Sequence, residues 1–153
     1  MNNLAAIAVF CGSNAGENKL YAQGAAHLGA SFAANNIKLI YGGTHKGLMG
    51  ALADALIEGE GNARGIITQR LYDKGHLHAG LQEHEVVSTM RERKGRMDHL
   101  ADAFIALPGG IGTLEEFMEV LTLKQLGYHD RPIAMLNVDG FFDTLLDFFD
   151  ELR

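Results

Sequence analysis

Short apolar runs alternate with longer amphipathic stretches along this chain. The apolar runs lack polar alternation, as in "LAAIAVFCGS" (4–13) and "IKLIYGG" (37–43), which is typical of strands covered on both faces of a parallel sheet. Comparable runs are "RGIIT" (64–68), "HEVVST" (84–89), "DAFIALPGG" (102–110) and "PIAMLNV" (132–138). Amphipathic stretches lie near 18–35, 47–58, 89–101 and 113–126, and the last is "GFFDTLLDFFDELR" (140–153).

This order of elements predicts an α/β fold in a single domain, residues 1–153. Strands joined by helices through right-handed crossovers form a doubly wound, Rossmann-like parallel sheet with helices on both faces. The stretch 69–84 is the least regular, and we expect it to form a long active-site loop or a partial helix. The last apolar stretch has helical spacing, which predicts packing in the core or at an interface.

Composition narrows the classes of partner. The formal net charge is -6, which disfavours a nucleic acid polymer, although local cations and backbone N–H groups can still hold a small anion. The single cysteine, Cys11, cannot form a disulfide within the chain and is predicted to be a small buried hydrophobe. The chain has neither a basic signal-peptide start nor 18 consecutive apolar residues, so we expect no membrane contact and a cytoplasmic location.

Three glycine-containing turns are predicted at the carboxyl ends of strands, where sheets of this type bind ligands. They are Gly12-Ser13, Gly42-Gly43 and Gly109–Gly112. None has the GxGxxG spacing of a dinucleotide site, so the turns favour a ligand the size of a single nucleotide. Ser13 and Gly43 are therefore candidate substrate contacts.

The stretch "PGGIGTLEE" (108–116) combines a flexible turn with a predicted helix start. Its glycines permit a tight turn and close approach of a ligand, and the helix N-terminus attracts an anion. A purely structural alternative is that Thr113 and Glu116 form a capping box of the T-x-x-E type. That alternative leaves the three glycines without a role.

The stretch "TMRERKGRM" (89–97) places two cations beside an apolar seam. On a helix, Met90, Met97 and Ala101 share one stripe, and Arg93 and Lys94 flank it. Such cations need a counterion or an anionic ligand. The remaining charged residues of this stretch, Arg91 and Arg96 included, are predicted to be solvated.

Together, "RERK" and "PGGIGTLEE" resemble the M-x-x-R-K and P-G-G-x-G-T-x-x-E signatures of the LONELY GUY family. The resemblance extends through "VFCGS", "LIYGG", "KGLMGALADA", "QLGYHDRP" and "LNVDGFFDTLL" and covers nearly the whole chain. These are cytokinin riboside 5′-monophosphate phosphoribohydrolases, often mislabelled lysine decarboxylases. The resemblance implies a Rossmann-like homodimer, without a cofactor, that cleaves an N6-modified adenosine monophosphate into the free base and ribose 5-phosphate.

The resemblance also assigns roles to residues. It implies that Arg93 and Glu116 are catalytic and that Lys94 binds substrate. The implied phosphate loop and a further nucleotide contact comprise Gly110, Ile111, Gly112, Thr113, Leu114, Glu115 and Thr122. A carboxylate at Glu116 would stabilise positive charge developing on the ribose, and the helix N-terminus is expected to favour its ionised form. Arg93, which does not deprotonate near neutral pH, would position Glu116 and the ribose.

Three positions depart from the family pattern. Gly75 aligns where relatives often carry a base-contacting Glu, so base recognition is expected to relax or to use another residue such as Glu83. The second turn reads Gly42-Gly43-Thr44 in place of three glycines. Relatives usually continue beyond Arg153 into another helical segment.

Weaker candidates are predicted to have structural roles. His45 and Lys46, in the turn after "YGG", face either the ligand or solvent, and solvent is favoured. His129-Asp130 is expected to form a turn. The histidines of the 69–84 stretch (His76, His78 and His84) are expected not to bind a metal. A different class of function remains open, namely a nucleotide or molybdenum-cofactor carrier on the same fold. A carrier would not require the Arg93/Glu116 pair. A third hypothesis, an amino-acid decarboxylase, is supported only by the old name of the family.

Overall fold

Six parallel strands form one sheet in the computed structural model, which describes residues 4–153. The strands are β1 (Ala6–Phe10), β2 (Lys38–Tyr41), β3 (Ala63–Thr68), β4 (Glu83–Val87), β5 (Ala103–Ala106) and β6 (Ile133–Met135). Their order across the sheet is β4-β3-β2-β1-β5-β6. The helices are α1 (Lys19–Ala34), α2 (Gly47–Glu58), α3 (Gln69–Asp73), α4 (Met90–Leu100), α5 (Ile111–Gln125) and α6 (Asp143–Glu151). This confirms the predicted doubly wound, Rossmann-like fold.

The two faces of the sheet carry separate cores, as the twofold periodicity of a strand requires. On one face, Ile7 and Val9 of β1 pack with residues of α1 and α2. On the other, Ala8 and Phe10 pack with Met97 of α4 and with residues of α5. Because both faces are covered, the central strands β1 and β5 are apolar at every position, and this explains their lack of polar alternation in the sequence. The edge strand β4 is different and carries Glu83, His84 and Glu85.

The strand order reverses between β1 and β5. From β1 the chain adds β2, β3 and β4 in order toward one edge of the sheet. It then crosses back, and β5 pairs with the other side of β1. The loops that leave β1 and β5 therefore diverge to opposite faces and open a crevice at the carboxyl edge of the sheet. At its floor the loops touch, because the Gly12 N–H donates to the Pro108 carbonyl at 3.3 Å.

The 69–84 stretch forms the short helix α3 and then a loop, so the partial-helix alternative is correct. An isolated bridge between Thr44 and Leu77 joins this loop to the turn after β2. The fifth helix begins at Ile111, two residues earlier than the sequence pattern indicates. The last apolar stretch forms α6, and Phe142 beside it is buried while Phe148 is 55% exposed.

Candidate active site

A cavity of about 970 Å³ lies at the carboxyl edge of the sheet, over the crevice between β1 and β5. Its walls come from the turns after β1, β2 and β5, from the first residue of α4, and from the 69–84 loop. Of the residues predicted from the sequence, those that line it are Ser13, Arg93, Gly110, Gly112, Thr113 and Glu116. The fold therefore gathers residues more than 100 positions apart in the chain at one site.

The N-terminus of α5 forms one wall of the cavity. Gly110 is its N-cap residue and no side chain caps the helix, so the first backbone N–H groups of the helix are open to a ligand. Thr113 is the third residue of the helix and is buried at 4% exposure. The capping-box alternative for Thr113 and Glu116 is therefore wrong, because it would require the helix to begin after Thr113.

Arg93 is buried at 5% exposure and is fixed by backbone carbonyls. Its Nε donates to the Ile66 carbonyl at 2.7 Å and its Nη2 donates to the Gly42 carbonyl, which ties α4 to the ends of β3 and β2. These bonds use only part of the guanidinium, and further N–H donors remain for a ligand in the cavity. Desolvation lowers the pKa of Arg93, whereas nearby Glu116 opposes that change.

Glu116 lines the same cavity from the second turn of α5. Burial raises the pKa of Glu116 to about 7, Arg93 opposes the rise, and Glu115 adds to it. The expectation that the helix N-terminus keeps this carboxyl ionised is wrong. The helix begins earlier than predicted, so Glu116 lies beyond the first turn, where the dipole effect has fallen off and desolvation dominates. A carboxyl with this pKa can exchange a proton at neutral pH.

Cys11 follows β1 and lies at the bottom of the site with 2% exposure. Burial and the neighbouring Glu116 strongly raise the pKa of its thiol, so the reactive thiolate is suppressed. The prediction of a small buried hydrophobe agrees with this environment.

Lys94 does not line the main cavity. Its ammonium binds the carboxylates of Glu115 and Glu119 on the neighbouring helix α5, and only 17% of its side chain is exposed. The hydrogen bonds that the ammonium donates to these two acids raise the pKa of Lys94. The counterions predicted for this cation are therefore protein side chains.

Other residues of the implied site lie outside the cavity. Ile111 is 81% exposed, and Leu114 packs against the core beneath α5. Thr122 is exposed, and its hydroxyl donates to the Met118 carbonyl at 2.6 Å, about 13 Å along the helix axis from Thr113. Gly43 has a φ of 80°, and a Cβ there would lie 3.2 Å from the Cα of Gly65, so it permits close approach of β2 to β3.

The residues of the base-recognition hypothesis are also separated. Glu83 is the first residue of β4 and pairs with Lys38 and Arg64, at the edge of the sheet opposite the cavity. The suggestion that it reads the base is wrong, because a ligand in the cavity cannot reach that edge. Gly75 is exposed in the loop, with a φ of 74° that favours glycine.

Several cavity residues were not among the predicted site residues. Lys46, for which solvent was favoured over the ligand, lines the cavity, and so does His76 of the stretch that was predicted to form an active-site loop or a partial helix. Tyr21 and Phe141 also line it and form an edge-to-face aromatic pair. The sequence gave no signal for this pair. His129 bonds the Val120 carbonyl at 2.9 Å and the Arg131 N–H, as a turn residue does.

Residues 4–153 contain no group of three or more His, Cys, Asp or Glu side chains that could hold a metal ion. In the same part of the chain, every helix is too short or too polar to span a bilayer.

Comparisons with known proteins place the chain among characterised and probable enzymes by sequence similarity. A family model described as "Possible lysine decarboxylase" matches residues 49–153. A probable cytokinin riboside 5′-monophosphate phosphoribohydrolase of Oryza sativa subsp. japonica is 46% identical over 145 residues, which cover 95% of this chain and 65% of that protein. A cytokinin riboside 5′-monophosphate phosphoribohydrolase of Arabidopsis thaliana is also 46% identical, over 95% of this chain and 68% of that protein. The chain thus spans less than two thirds of the length of the rice relative.

Among solved structures, the molybdenum cofactor carrier protein of Chlamydomonas reinhardtii superposes with a TM-score of 0.78 at 19% identity, covering 99% of this chain and 86% of that chain. At this identity the similarity establishes the fold and nothing about the ligand.

Proposed function

Because this chain belongs to the LONELY GUY family of cytokinin riboside 5′-monophosphate phosphoribohydrolases, we propose that it hydrolyses the N-glycosidic bond of adenosine 5′-monophosphates, N6-modified ones included. The reaction class is that of an N-glycosidase. The observation that carries the proposal is the Arg93/Glu116 pair. A buried cation and a carboxyl with a pKa near 7 face one cavity beside an open helix N-terminus.

The phosphate of the nucleotide binds at the N-terminus of α5. Gly110 and Gly112 leave the backbone uncovered, and a Cβ added at either position would meet nothing within 4 Å. The space above the backbone is therefore available to a ligand, and the uncapped N–H groups supply hydrogen-bond donors and positive partial charge. Ser13, in the turn after β1, provides a further hydroxyl in the same cavity.

The ribose then lies between Glu116 and Arg93. As the bond between C1′ and the base nitrogen lengthens, positive charge develops on the sugar, and ionised Glu116 stabilises it. Water attacks C1′ and transfers a proton to Glu116, and the departing base takes up one proton overall. The products are the free base and ribose 5-phosphate. Arg93 acts as a positioning cation, because its bonds to Ile66 and Gly42 hold it in place and a guanidinium is a poor proton donor.

The remaining implied residues support this arrangement from outside the cavity. Lys94, bound to Glu115 and Glu119, holds α4 against α5 and offsets negative charge beside Glu116. Leu114 anchors the first turn of α5 in the core. Direct contacts of Lys94, Ile111, Glu115, Thr122 or Gly43 with substrate remain predictions.

Alternatives on this fold receive less support. A carrier of nucleotide or molybdenum cofactor has no need of a proton-exchanging carboxyl opposite a fixed arginine. A decarboxylase that used Lys94 as a Schiff-base nucleophile would need a neutral amine, whereas Glu115 and Glu119 favour the charged form. We further expect a homodimer in the cytoplasm, as the family resemblance implies.

The decisive assay is incubation of the purified protein with AMP, isopentenyladenosine monophosphate and adenosine, followed by quantification of free base. Nucleotides should be cleaved with a kcat/KM at least 10²-fold above that of the nucleoside, because the phosphate site is lost with adenosine. Comparable values for AMP and adenosine would refute the phosphate site. Absence of free base from every nucleotide would refute the hydrolase.

A further inference from the structure

The far end of the cavity, opposite the phosphate turn, has a defined wall. Across the sheet, β5 is separated from β3 by β1 and β2, a distance of about 14 Å at the usual strand spacing. Between β5 and β3, Arg93 bonds backbone carbonyls at the ends of β2 and β3. Beyond it, Leu71 of α3, His76 of the following loop and Met90 of α4 line the cavity. A nucleotide with its phosphate at α5 and its ribose at Glu116 therefore extends toward this wall.

Backbone hydrogen bonds hold His76 in this position. Its N–H donates to the Leu71 carbonyl at 3.1 Å, its carbonyl accepts from the His45 N–H at 3.1 Å, and the His78 N–H donates to the Gly43 carbonyl at 2.9 Å. The loop is thus bound both to α3 and to the turn after β2. Because the backbone at His76 is already ordered, little conformational entropy is lost when the side chain binds a ligand.

The His76 ring is available for a ligand. It packs edge-on to the His45 ring at 6.4 Å, and neither of its nitrogens hydrogen-bonds another group within the part of the chain that the structure describes. Partial desolvation, with the nearby charges of Lys46 and Lys74 and the His45 ring, lowers the pKa of His76. The neutral ring offers one donor and one acceptor, which matches the edge of an aminopurine.

We propose that His76 recognises the purine base of the substrate and that Leu71 and Met90 accommodate an apolar N6 substituent. This inference rests on the proposed function for the orientation of the nucleotide. It assigns base recognition to a residue next to Gly75, where the family's carboxylate is missing, and it replaces the earlier suggestion of Glu83. Substitution of His76 should then weaken the binding of ligands that contain the base and leave the binding of the sugar phosphate alone unchanged.

Calorimetric titration separates the two parts of the ligand and does not require turnover. AMP and ribose 5-phosphate are titrated into the wild type, His76→Leu, His76→Gln and a matched control, His27→Leu, which changes an exposed histidine of α1 outside the cavity. His76→Leu should weaken AMP binding on the order of tenfold and leave ribose 5-phosphate unchanged. His76→Gln, which keeps a donor and an acceptor, should recover part of the loss, and His27→Leu should match the wild type.

Each contrary outcome has a separate meaning. Wild-type AMP affinity in His76→Leu overturns the inference, whether or not the wild type cleaves AMP. An AMP affinity that falls in Tyr21→Leu and not in His76→Leu puts the base at the Tyr21/Phe141 aromatic pair and also overturns the inference. Equal losses for AMP and ribose 5-phosphate would show that His76 only supports the fold of the loop. A wild type that binds AMP through His76 but releases no base refutes the proposed hydrolysis and leaves base recognition standing.

Discussion

The environment of single residues at this site could not be predicted from the spacing of the sequence motifs. The motif identified Glu116 as a candidate catalytic residue, but the shift of its pKa was predicted in the opposite direction. The tertiary structure desolvates the carboxyl and raises its pKa to about 7, while Arg93 limits the rise. Glu115, its neighbour in sequence, is exposed and bound to Lys94. Adjacent acids of one motif therefore differ in chemistry because helical geometry points them about 100° apart.

Glu116→Gln tests the catalytic role of the carboxyl. The substitution keeps the shape of the side chain and removes its charge and its capacity to take up a proton, so kcat should fall by a factor on the order of 10² or more. Steady-state kinetics on a verified nucleotide substrate provide the measurement. Glu115→Gln is the matched control and should be much milder. Wild-type kcat in purified Glu116→Gln would rule out the mechanism.

The raised pKa of Glu116 also predicts a pH-dependent stability. Between the unfolded pKa of about 4.5 and the folded pKa of about 7, the folded state binds more protons than the unfolded state. The wild type should therefore lose stability relative to Glu116→Gln as pH rises through this window, by on the order of 3 kcal/mol at pH 8. Thermal melts at pH 5 and pH 8 check this: the variant should gain several degrees at pH 8 and little at pH 5. A difference that does not change with pH would contradict the assignment.

Helix α5 shows how one element serves both fold and ligand. Its N-cap is a glycine without a side-chain cap, an arrangement that is less stable than a Ser or Asp cap and leaves the N–H groups open. Gly109 before it packs against Thr113 and Gly12, whereas Gly110 and Gly112 border open space. The glycines of "PGGIG" therefore have different roles, although they are equivalent in the sequence pattern.

Substitutions at Gly109 and Gly112 should separate these roles. A Cβ at Gly109 would come within 2.1 Å of the Thr113 hydroxyl and 3.0 Å of the Gly12 nitrogen, so Gly109→Ala should lower the melting temperature. Gly112→Val has free space and should melt within a few degrees of the wild type, because a Cβ there meets no atom and valine has a somewhat higher helix propensity than glycine. It should still weaken AMP binding on the order of tenfold or more, because its branched side chain crowds the phosphate. Unchanged AMP affinity in Gly112→Val would remove the phosphate from this turn.

The backbone conformation of the loop affects the stability expected for Gly75→Glu. Gly75 is exposed and no atom lies near a Cβ there, so on steric grounds Gly75→Glu should leave folding nearly intact. Its φ of 74° nevertheless disfavours a residue with a side chain by about 1 kcal/mol. A loss of activity in that variant would therefore need a melting measurement before it is attributed to base recognition.

At the scale of the whole molecule, apolar side chains on and beside α5 are exposed and do not pack against the sheet. Ile111 and Met118 of α5 and Leu126 at its C-cap lie on one side of the helix and are 81%, 37% and 66% exposed. We call these three residues the α5 stripe, and the polar residues Glu115 and Thr122 lie between them. Exposed apolar side chains grouped beside a site are typical of a protein–protein interface. The stripe is consistent with the homodimer that the family resemblance implies.

Met118→Lys tests this surface. If the α5 stripe forms a dimer interface, a buried charge there should convert the dimer to a monomer at micromolar concentration, as measured by light scattering after size-exclusion chromatography. Leu152→Lys, at the exposed end of α6, is the matched control. A monomeric wild type contradicts the dimer, and a dimer that is lost only in Leu152→Lys moves the interface to α6.

The sequence by itself determined the architecture and the choice of Arg93 and Glu116 as the proposed catalytic pair. Apolar runs without polar alternation, joined by amphipathic helices, predict a covered parallel sheet, because burial on both faces removes the alternation. The two motifs around Arg93 and Glu116 are specific. The turn after β5 was identified for a similar reason, since three glycines in five positions have no purely helical explanation.

Only the tertiary structure decided how these residues act. Local patterns record which face of a helix is apolar, but not which distant backbone lies against it. Each of these residues is held by a distant segment of the chain. The carbonyls of Gly42 and Ile66 fix Arg93, and the acids of α5 hold Lys94 away from the cavity. The His76 loop is held by backbone bonds to α3 and to the turn after β2. The pKa of Glu116 depends on the same assembly, because desolvation is a property of the surrounding protein and not of the neighbouring sequence.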